Sequence, residues 1–381
     1  MSLKPPRRIL IAPDSYKGCL SAAEVAGAMA RAVRRALPYC EAVELPVADG
    51  GEGFPDALLA SCGGTRCRRT VSDPLGRPVE AAYGILPDGT AVIGTAAASG
   101  LPLLSEDERD PLITSSFGTG ELIRDAIGNG CRNILVGLGG SATHDAGTGL
   151  LSALGFRFLD EDGRPLKGCG ANLDHIRRID RSAVLPALKE VRFTAACDVQ
   201  TVICGPGGAA EVFAPQKGAD PGTVRQLDEE TARFAALILA ESGIDLRTLP
   251  GSGAAGGIGG ALAALLGARL VSGIDLVLDA AGFDALLQNA DLVLTGEGRI
   301  DAQSGAGKVV WGVLQRARRA GVPVIAIGGR VTPDAAALPF AGCFALADEN
   351  VPDQVAMQPE RARKRIADLV GQILLSESFT G

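Results

Sequence analysis

Aromatic residues are scarce in this chain, since Phe, Trp and Tyr together make up 4% of its 381 residues. Histidine occurs only twice, and no stretch approaches the ~18 consecutive apolar residues that a membrane-spanning helix needs. The net charge is −7, and no long run of Lys and Arg is present to neutralise a nucleic-acid backbone. These absences argue against an aromatic ligand platform, a membrane protein and a nucleic-acid-binding protein.

Cysteine is present, but its spacing indicates neither a disulfide framework nor a zinc site. The nine cysteines are an odd number and lack CxxC pairs. The basic N-terminal segment has too short an apolar part for a signal peptide. We therefore expect a cytoplasmic protein with reduced cysteines. The arginine clusters at 177–178 and 361–365 are interpreted as solvated helix faces.

Hydrophobic residues make up 46% of the chain, which is enough for a large core and for two domains. Strand, polar loop and helix alternate at both ends of the chain, whereas short alternating segments from about residue 70 predict an antiparallel meander. We predict an α/β protein with a discontinuous doubly wound domain, 1–68 and 286–381, and an inserted mixed α/β domain, 69–285.

A glycine-rich loop joins a buried strand to a helix between Asn133 and Gly155. Glycine lets the backbone approach a ligand, and the N–H groups at a helix start carry partial positive charge. The pattern predicts an anion site, to which Ser141 and Thr143 add hydroxyl donors. Asp145 could hold a cation beside the anion.

Polar residues also follow other predicted strands, at the sheet edge where α/β proteins bind ligands. The strands at 8–12 and 42–47 are followed by Asp14, Ser15, Lys17, Asp49 and Glu52. Asp198 follows a strand at 191–196 and is a candidate base or metal ligand, and Gln216 and Lys217 lie on a loop that could contact an acidic substrate. A strand predicted at 291–294 ends in a loop that carries Glu297 and Asp301.

Two nucleotide-binding patterns need weighing. Gly137–Ala142 (GLGGSA) fits GxGxxA after a strand, with Asp160 at roughly the Rossmann spacing, so an NAD-dependent oxidoreductase of a small hydroxy acid stays open as an alternative. A P-loop at 302–309 is rejected, because Ala302 and Val309 replace its first glycine and its Ser or Thr. Several anion loops, many carboxylates and few histidines favour phosphoryl transfer.

Taken together, the motifs resemble those of the type 1 glycerate kinases, in order and over nearly the whole chain. They are IAPDSYKGCLSAAEVA, PVADGGEG, GLGGSATHDAGTG, GPGGAAEVFAPQKGA, PGSGAAGG and LVLTGEGRID. The resemblance implies Mg²⁺-dependent phosphorylation of D-glycerate by ATP, giving 2-phosphoglycerate, with 3-phosphoglycerate as the alternative product. It also implies two α/β domains, one of them flavodoxin-like and discontinuous, with the active site between them. The chain departs from the family pattern at Phe54, Gly94 and His144, where Thr, an acidic residue and Asn are usual.

The resemblance implies roles for the candidate residues. Lys17, Gln216 and Lys217 would hold the glycerate carboxylate or the phosphoryl group, beside Asp14 and Ser15, and Asp49, Glu52 or Asp198 would accept the hydroxyl proton. Contacts to ATP are expected from Gly139, Gly140, Ser141, Thr143, Gly251, Gly253, Gly256 and Lys308. Asp145, Glu297 or Asp301 would position Mg²⁺. A homodimer and a non-catalytic sugar-acid sensor stay open.

Overall fold

The computed structural model of the chain describes residues 6–51, 53–301, 308–347, 351–352, 355 and 357–376. The strands are β1 Arg8–Ile11, β2 Glu41–Glu44, β3 Thr65–Ser72, β4 Pro78–Ile85, β5 Ala91–Gly94, β6 Asn133–Gly137, β7 Arg157–Leu159, β8 Arg178–Asp180, β9 Arg192–Ala196, β10 Arg269–Val271, β11 Leu292–Ile300, β12 Val324–Val331 and β13 Gly342–Ala345. The α-helices are α1 Ala22–Ala36, α2 Phe54–Cys62, α3 Ala96–Ser99, α4 Phe117–Gly128, α5 Thr148–Ala153, α6 Ala209–Phe213, α7 Pro221–Ser242, α8 Ile258–Leu266, α9 Gly273–Ala280, α10 Phe283–Leu287, α11 Val309–Arg319 and α12 Pro359–Leu374.

The chain divides into two compact units. Unit 1 contains residues 6–49, Asp56–Cys62 and the described residues from Ile274 onward, and unit 2 contains Gly50–Pro55 and Gly63–Gly273. The predicted domain limits at 68 and 285 fall inside β3 and α10. The sequence pattern shows where one kind of secondary structure gives way to another. Such a change need not coincide with the limits of a packed unit. The predicted domain limits stay a prediction.

Unit 1 is built on a five-stranded parallel sheet. Its strand order is β13-β12-β11-β1-β2, which is the flavodoxin-like order 2-1-3-4-5 when the strands are renumbered within the unit. Ile9, Leu294 and Ile327 belong to the core cluster that includes α1 and α12. Ala326, the neighbour of Ile327, instead packs in the cluster that includes Val310 of α11. Helices therefore cover both faces, which confirms the predicted α/β class.

The first helix begins where the sequence predicts. Ser21 Oγ accepts a hydrogen bond from the backbone N–H of Glu24, and the Glu24 carboxylate accepts one from the Ser21 N–H at 2.9 Å. This reciprocal pair is the capping box, which satisfies two N–H groups that a helix start leaves without partners. It fixes where the polar segment that follows β1 ends and α1 starts.

The strand β11 is longer than predicted, because it continues to Ile300 instead of ending at Leu294. Glycines at 296 and 298 read as turn signals in the sequence. At Gly296, however, an added Cβ would lie 2.3 Å from the carbonyl oxygen of Ile327 on β12. The glycine therefore allows two backbones to approach closely, and Glu297 lies within a central strand instead of a loop.

Unit 2 contains a six-stranded sheet of order β10-β9-β6-β5-β4-β3. Its first four strands are parallel, whereas β4 pairs antiparallel with both β5 and β3. The predicted meander is therefore confirmed. The strands β7 and β8 form a separate antiparallel pair. Among the described residues of both units, no helix is long and apolar enough to cross a membrane.

A glycine in α4 provides a stability test of the unit 2 packing. We expect Gly118→Ala to destabilise the protein by about 2–3 kcal/mol, because its Cβ would lie 1.8 Å from the carbonyl oxygen of Ser72 and the backbone must shift. Gly128→Ala on the same helix is the matched control, since nothing lies within 4 Å of its Cβ. The control should be neutral or stabilising by up to about 1 kcal/mol. Urea unfolding measures both, and equal midpoints would contradict the expected packing.

Candidate active site

The carboxyl ends of β1 and β11 lie side by side in unit 1, where the strand order reverses. The chain that leaves β1 stays attached to β11. The N–H of Ala12 donates to the carbonyl of Leu294, and the N–H of Asp14 donates to that of Gly296, each at 2.8 Å. The Thr295 hydroxyl donates to the Ala12 carbonyl at 2.7 Å. Open α/β sheets bind ligands at such switch points, so this edge is the candidate active site.

A cavity of about 540 Å³ opens at this edge and is lined entirely by residues of unit 1. Three carboxylates line it, those of Asp14, Asp49 and Glu297. Its cationic side chains are those of Lys17, Arg299, Lys308, Arg330, Arg361 and Arg365. The predicted residues that meet in the cavity are Asp14, Ser15, Lys17, Asp49, Glu297 and Lys308. Residues placed far apart in the sequence therefore share one cavity.

Asp14 is the most perturbed carboxylate of this cavity. Its residue is 5% exposed, and its Oδ1 accepts the N–H of Ser15 at 2.6 Å. Burial raises the pKa of Asp14 to about 7, and the negative charge of Asp49 acts in the same direction. The Ser15 N–H and the Lys17 ammonium oppose that rise. A carboxyl group with a pKa near neutrality can take up and release a proton at physiological pH.

Tyr16 holds the loop that carries Asp14 and Lys17. The Tyr16 hydroxyl donates to the carbonyl of Ile327 on β12 at 2.8 Å, and the residue is 4% exposed. Burial, followed by the charge of Glu297, raises the pKa of Tyr16, so the hydroxyl stays protonated and keeps donating. Sequence reasoning did not identify this residue. A lone Tyr after a strand carries no recognisable signal of such an anchoring role.

Glu297 and Asp301 meet Lys308 at the end of β11. The Lys308 Nζ lies 3.9 Å from a Glu297 oxygen and 3.6 Å from an Asp301 oxygen. Arg299 Nε lies 3.5 Å from the other Asp301 oxygen. Within the part of the chain that the structure describes, no group of three His, Cys, Asp or Glu residues could hold a metal ion.

Four arginines of the cavity were missed as functional candidates, and the first of them is Arg299 of β11. Arg330 lies in β12, and Arg361 and Arg365 lie one turn apart on α12. The residues 361–365 were interpreted as a solvated helix face. Arg361 and Arg365 are exposed, but both line the cavity. Their spacing of four was the available signal, since it places both side chains on one face of a helix.

In unit 2, Asp145 organises the glycine-rich loop that was predicted to bind an anion. Its residue is 0% exposed, and its carboxylate accepts hydrogen bonds from the N–H and hydroxyl of Ser116 and from the N–H groups of Gly147 and Gly149. Burial nevertheless raises the pKa of Asp145. The amides before and at the start of α5 are thus already occupied by this internal anion. The predicted role of Asp145 at Mg²⁺ stays a prediction, and Asp145 lies in a different unit from Glu297 and Asp301.

The glycines predicted to contact ATP lie against the chain itself. An added Cβ at Gly139 would meet Gly51 at 2.4 Å, and one at Gly140 would meet Ala96 at 3.2 Å. An added Cβ at Gly251 would lie 2.8 Å from the Cys197 sulfur. At Gly253 and Gly256 it would lie 2.3 Å from the Val202 carbonyl oxygen and 2.0 Å from the Thr143 carbonyl oxygen, respectively. Close packing of the chain accounts for glycine at these positions. Their contacts to ATP stay a prediction.

Lys217, which was predicted to hold the substrate carboxylate or the phosphoryl group, is buried beside Ser141 and Thr143, which were predicted to contact ATP. Its Nζ donates to the Ser141 hydroxyl at 3.0 Å and to the Thr143 carbonyl at 2.7 Å, and the residue is 2% exposed. Burial lowers the pKa of Lys217 to about 7, against the opposing charge of Asp145. Burial, and next the charge of Lys217, lowers the pKa of His144 to about 3. The neighbouring residue Gln216 is exposed.

Asp198 and Glu52 are the remaining predicted base candidates. Asp198 follows β9 in unit 2 and is half-buried. Its Oδ1 accepts the Ser272 hydroxyl at 3.0 Å and the Gly273 N–H at 2.9 Å, so the carboxylate is oriented by the chain. Glu52 lies outside the described residues.

The alternative dinucleotide site lacks its structural context. Asp160 follows β7, which pairs antiparallel with β8 instead of joining the parallel sheet beside β6. Its Oδ1 accepts the N–H of Arg164 at 2.8 Å and so closes a turn. A Rossmann fingerprint needs the acidic residue at the end of the neighbouring parallel strand. The structure therefore does not support the NAD alternative.

Comparison with known proteins identifies the family of this chain. The model of the glycerate kinase family matches residues 9–376. Glycerate kinase of Halalkalibacterium halodurans is 46% identical over 84% of this chain and 85% of its own length, and glycerate 2-kinase of Escherichia coli K12 is 45% identical over 86% of each. Glycerate kinase of Bacillus subtilis is 42% identical over 98% of this chain and 99% of its own.

A solved structure also matches. The crystal structure of a Salmonella typhimurium LT2 protein, provisionally named glycerate kinase 2, superposes with a TM-score of 0.85 at 41% identity and covers 96% of this chain and 97% of that one. The family model spans nearly the whole chain, and the relatives agree with it at 42–46% identity. This chain therefore belongs to the glycerate kinase family and is a kinase, a phosphotransferase with an alcohol group as acceptor.

Proposed function

We propose that this chain transfers the terminal phosphoryl group of ATP to D-glycerate in the presence of Mg²⁺ and forms 2-phosphoglycerate. The observation that carries the proposal is the unit 1 cavity, in which the carboxylates of Asp14 and Asp49 and the ammonium of Lys17 are all lining groups. A sugar acid offers a carboxylate, which needs a cation, and a hydroxyl, which needs a proton acceptor. The Escherichia coli relative named glycerate 2-kinase supports the choice of the 2-hydroxyl.

The acceptor end of the reaction is assigned to the loops that follow β1 and β2. Lys17 holds the glycerate carboxylate. The substrate hydroxyl oxygen attacks the terminal phosphoryl group, the bond to the ADP oxygen breaks, and the hydroxyl proton passes to the Asp14–Asp49 pair. The pair suits this task, because Asp14 has a pKa of about 7 that depends in part on the charge of Asp49.

The transferring phosphoryl group is assigned to Lys308 and its acidic neighbours. Glu297 and Asp301 fit Mg²⁺, since both present carboxylate oxygens to which the Lys308 ammonium is already drawn. Magnesium in kinases is usually held by one or two carboxylates together with substrate phosphates, so two protein ligands suffice. Bound there, Mg²⁺ would neutralise negative charge on the phosphates. Lys308 supplies a second positive charge for the same purpose.

The unit 2 candidates keep supporting roles in this proposal. Asp198 is retained as an alternative proton acceptor, because its carboxylate is oriented by two donors. Lys217 is retained as a contact to the phosphoryl group or the substrate carboxylate. We assign Asp145 to the structure of its loop instead of to Mg²⁺, since four hydrogen bonds already occupy its oxygens.

The first test is a direct assay of the reaction. Purified protein with ATP, Mg²⁺ and D-glycerate should release ADP, and ³¹P NMR of the mixture should show the signal of 2-phosphoglycerate. Omitting Mg²⁺ should abolish turnover. A 3-phosphoglycerate signal would overturn the proposed position of transfer but leave the kinase activity standing. Absence of any product, with L-glycerate and tartronate also inert, would contradict the proposed substrate.

A second test examines the proton acceptor through pH. Because the ionised carboxylate is the active form, kcat/KM should rise with pH up to about 7 and then level off. Asp14→Asn should lower kcat by about 10²–10⁴-fold and remove this rise. Asp49→Asn should move it to lower pH, because the charge of Asp49 helps to raise the pKa of Asp14.

The variant Asp198→Asn decides between the two locations of the base. If Asp198→Asn keeps full turnover and the pH dependence of the unmodified protein, Asp198 is removed from the candidate bases. If it abolishes turnover while Asp14→Asn leaves kcat within twofold, the assignment to the Asp14–Asp49 pair is wrong. Thermal unfolding of each variant checks that the comparison is made on folded protein.

A further inference from the structure

The unit 1 cavity carries more positive charge than a sugar acid requires. Six cationic side chains line it, against three lining carboxylates and that of Asp301, which lies near Arg299 and Lys308, although the whole chain has a net charge of −7. Glycerate brings a single carboxylate, which one or two cations can neutralise. The excess indicates that the cavity also receives a ligand with several negative charges.

Two of these cations lack acidic partners nearby. Among the residues that the structure describes, no carboxylate lies within ion-pair distance of Arg361 or Arg365, which follow each other by one turn on α12. Arg363 on the same helix differs, because its guanidinium pairs with Glu24 at 2.6 Å and also contacts Glu360. Arg363, which does not line the cavity, is therefore compensated within the protein, whereas Arg361 and Arg365 have no acidic partner in the described part of the chain.

Backbone carbonyls orient two of the cavity guanidinium groups. Arg365 Nε donates to the Leu346 carbonyl at 2.9 Å, and Arg330 Nη2 donates to the Val351 carbonyl at 2.6 Å. The Leu346 carbonyl fixes the position of the Arg365 guanidinium but neutralises none of its charge, and each guanidinium has five N–H donors in a planar fork. Oriented arginines of this kind bind phosphate oxygens well, because the fork matches the geometry of a phosphate.

The same part of the cavity has an apolar lining. Leu346 and Ala362 are buried, whereas Met357 is 43% exposed, although it is a large hydrophobic residue. An apolar surface beside cations fits a nucleotide, whose base is flat and weakly polar and whose phosphates are charged. The volume of about 540 Å³ is far more than a three-carbon acid fills, and lies within the range of about 300–1,000 Å³ typical of ligand pockets.

We propose that Arg361 and Arg365 of α12, together with Arg330 of β12, bind the phosphate chain of the nucleoside triphosphate, with the base against Leu346 and Met357. Lys308 lines the same cavity, so the terminal phosphate can reach the acceptor end that carries Asp14. This inference rests on the proposed function for the identity of the nucleotide as phosphoryl donor.

Binding of a non-hydrolysable ATP analogue tests the subsite without any need for turnover. Isothermal titration calorimetry with the β,γ-imido analogue of ATP and Mg²⁺, in the absence of glycerate, should give a Kd at least tenfold higher for the double variant Arg361→Gln, Arg365→Gln. The matched control is Lys364→Gln, which removes one exposed positive charge from the same helix outside the cavity lining. Its Kd should stay within twofold of that of the unmodified protein.

Steady-state kinetics separate the nucleotide from the acceptor. The double variant should raise KM for ATP and leave KM for D-glycerate within twofold. A raised KM for glycerate with an unchanged Kd for the analogue would overturn the subsite, because the arginines would then serve the acceptor. Equal behaviour of the double variant and Lys364→Gln would overturn it as well.

The same measurements distinguish failure of the subsite from failure of the proposed function. If the protein does not phosphorylate glycerate but the analogue binds, and the double variant weakens that binding tenfold, the subsite is supported and the substrate assignment is wrong. If glycerate is phosphorylated and the double variant binds the analogue normally, the proposed function stands and the subsite is rejected.

Discussion

The candidate active site depends on backbone pairing that continues past the end of β1. Two hydrogen bonds keep Ala12 and Asp14 attached to β11 after β1 itself has ended. Asp14 is therefore held at the buried edge of the sheet, where it lines the same cavity as Glu297 of β11. Asp14 and Glu297 are both largely removed from water, so the charge of each carboxylate is felt by the groups around it. The raised proton affinity of Asp14 is a consequence of this one constraint, because burial is the main cause of its pKa shift.

Buried charges in this protein fall into two kinds, and the hydrogen bonds around them tell the kinds apart. Asp145 in unit 2 accepts four hydrogen bonds, which fix the loop before α5 and leave its oxygens fully used. Asp14 accepts the N–H of Ser15 and otherwise faces a cavity that also contains Lys17. Burial raises the pKa of both carboxyl groups. The difference is that Asp145 completes a structure, whereas Asp14 remains directed at a space that a substrate can enter.

Glycine-rich motifs were the strongest features of the sequence, yet their glycines mostly serve the packing of the chain. At Gly139, Gly253 and Gly256 a side chain would collide with another backbone segment at 2.4 Å or less. Ligand approach and chain packing both require the absence of a Cβ, and the sequence cannot say which requirement applies. The glycines of β11 raised the same ambiguity, because a close strand neighbour and a turn favour the same residue. Arg361 and Arg365 are ambiguous in a similar way, because a basic helix face has the same sequence pattern whether it borders solvent or a cavity.

The sequence by itself determined the α/β class, the antiparallel meander, the capping box of α1 and the resemblance to the glycerate kinases. These depend on local signals, namely the period of apolar residues, turn residues and motif order, which are written along the chain. Only the tertiary structure decided that Asp14, Asp49, Glu297 and Lys308 line one cavity with Arg361 and Arg365, and that Asp145 is internally satisfied. Such facts depend on the distances between residues far apart in the chain. The pKa of a buried group and the partner of a cationic side chain follow from those distances, because desolvation and charge pairing act through space.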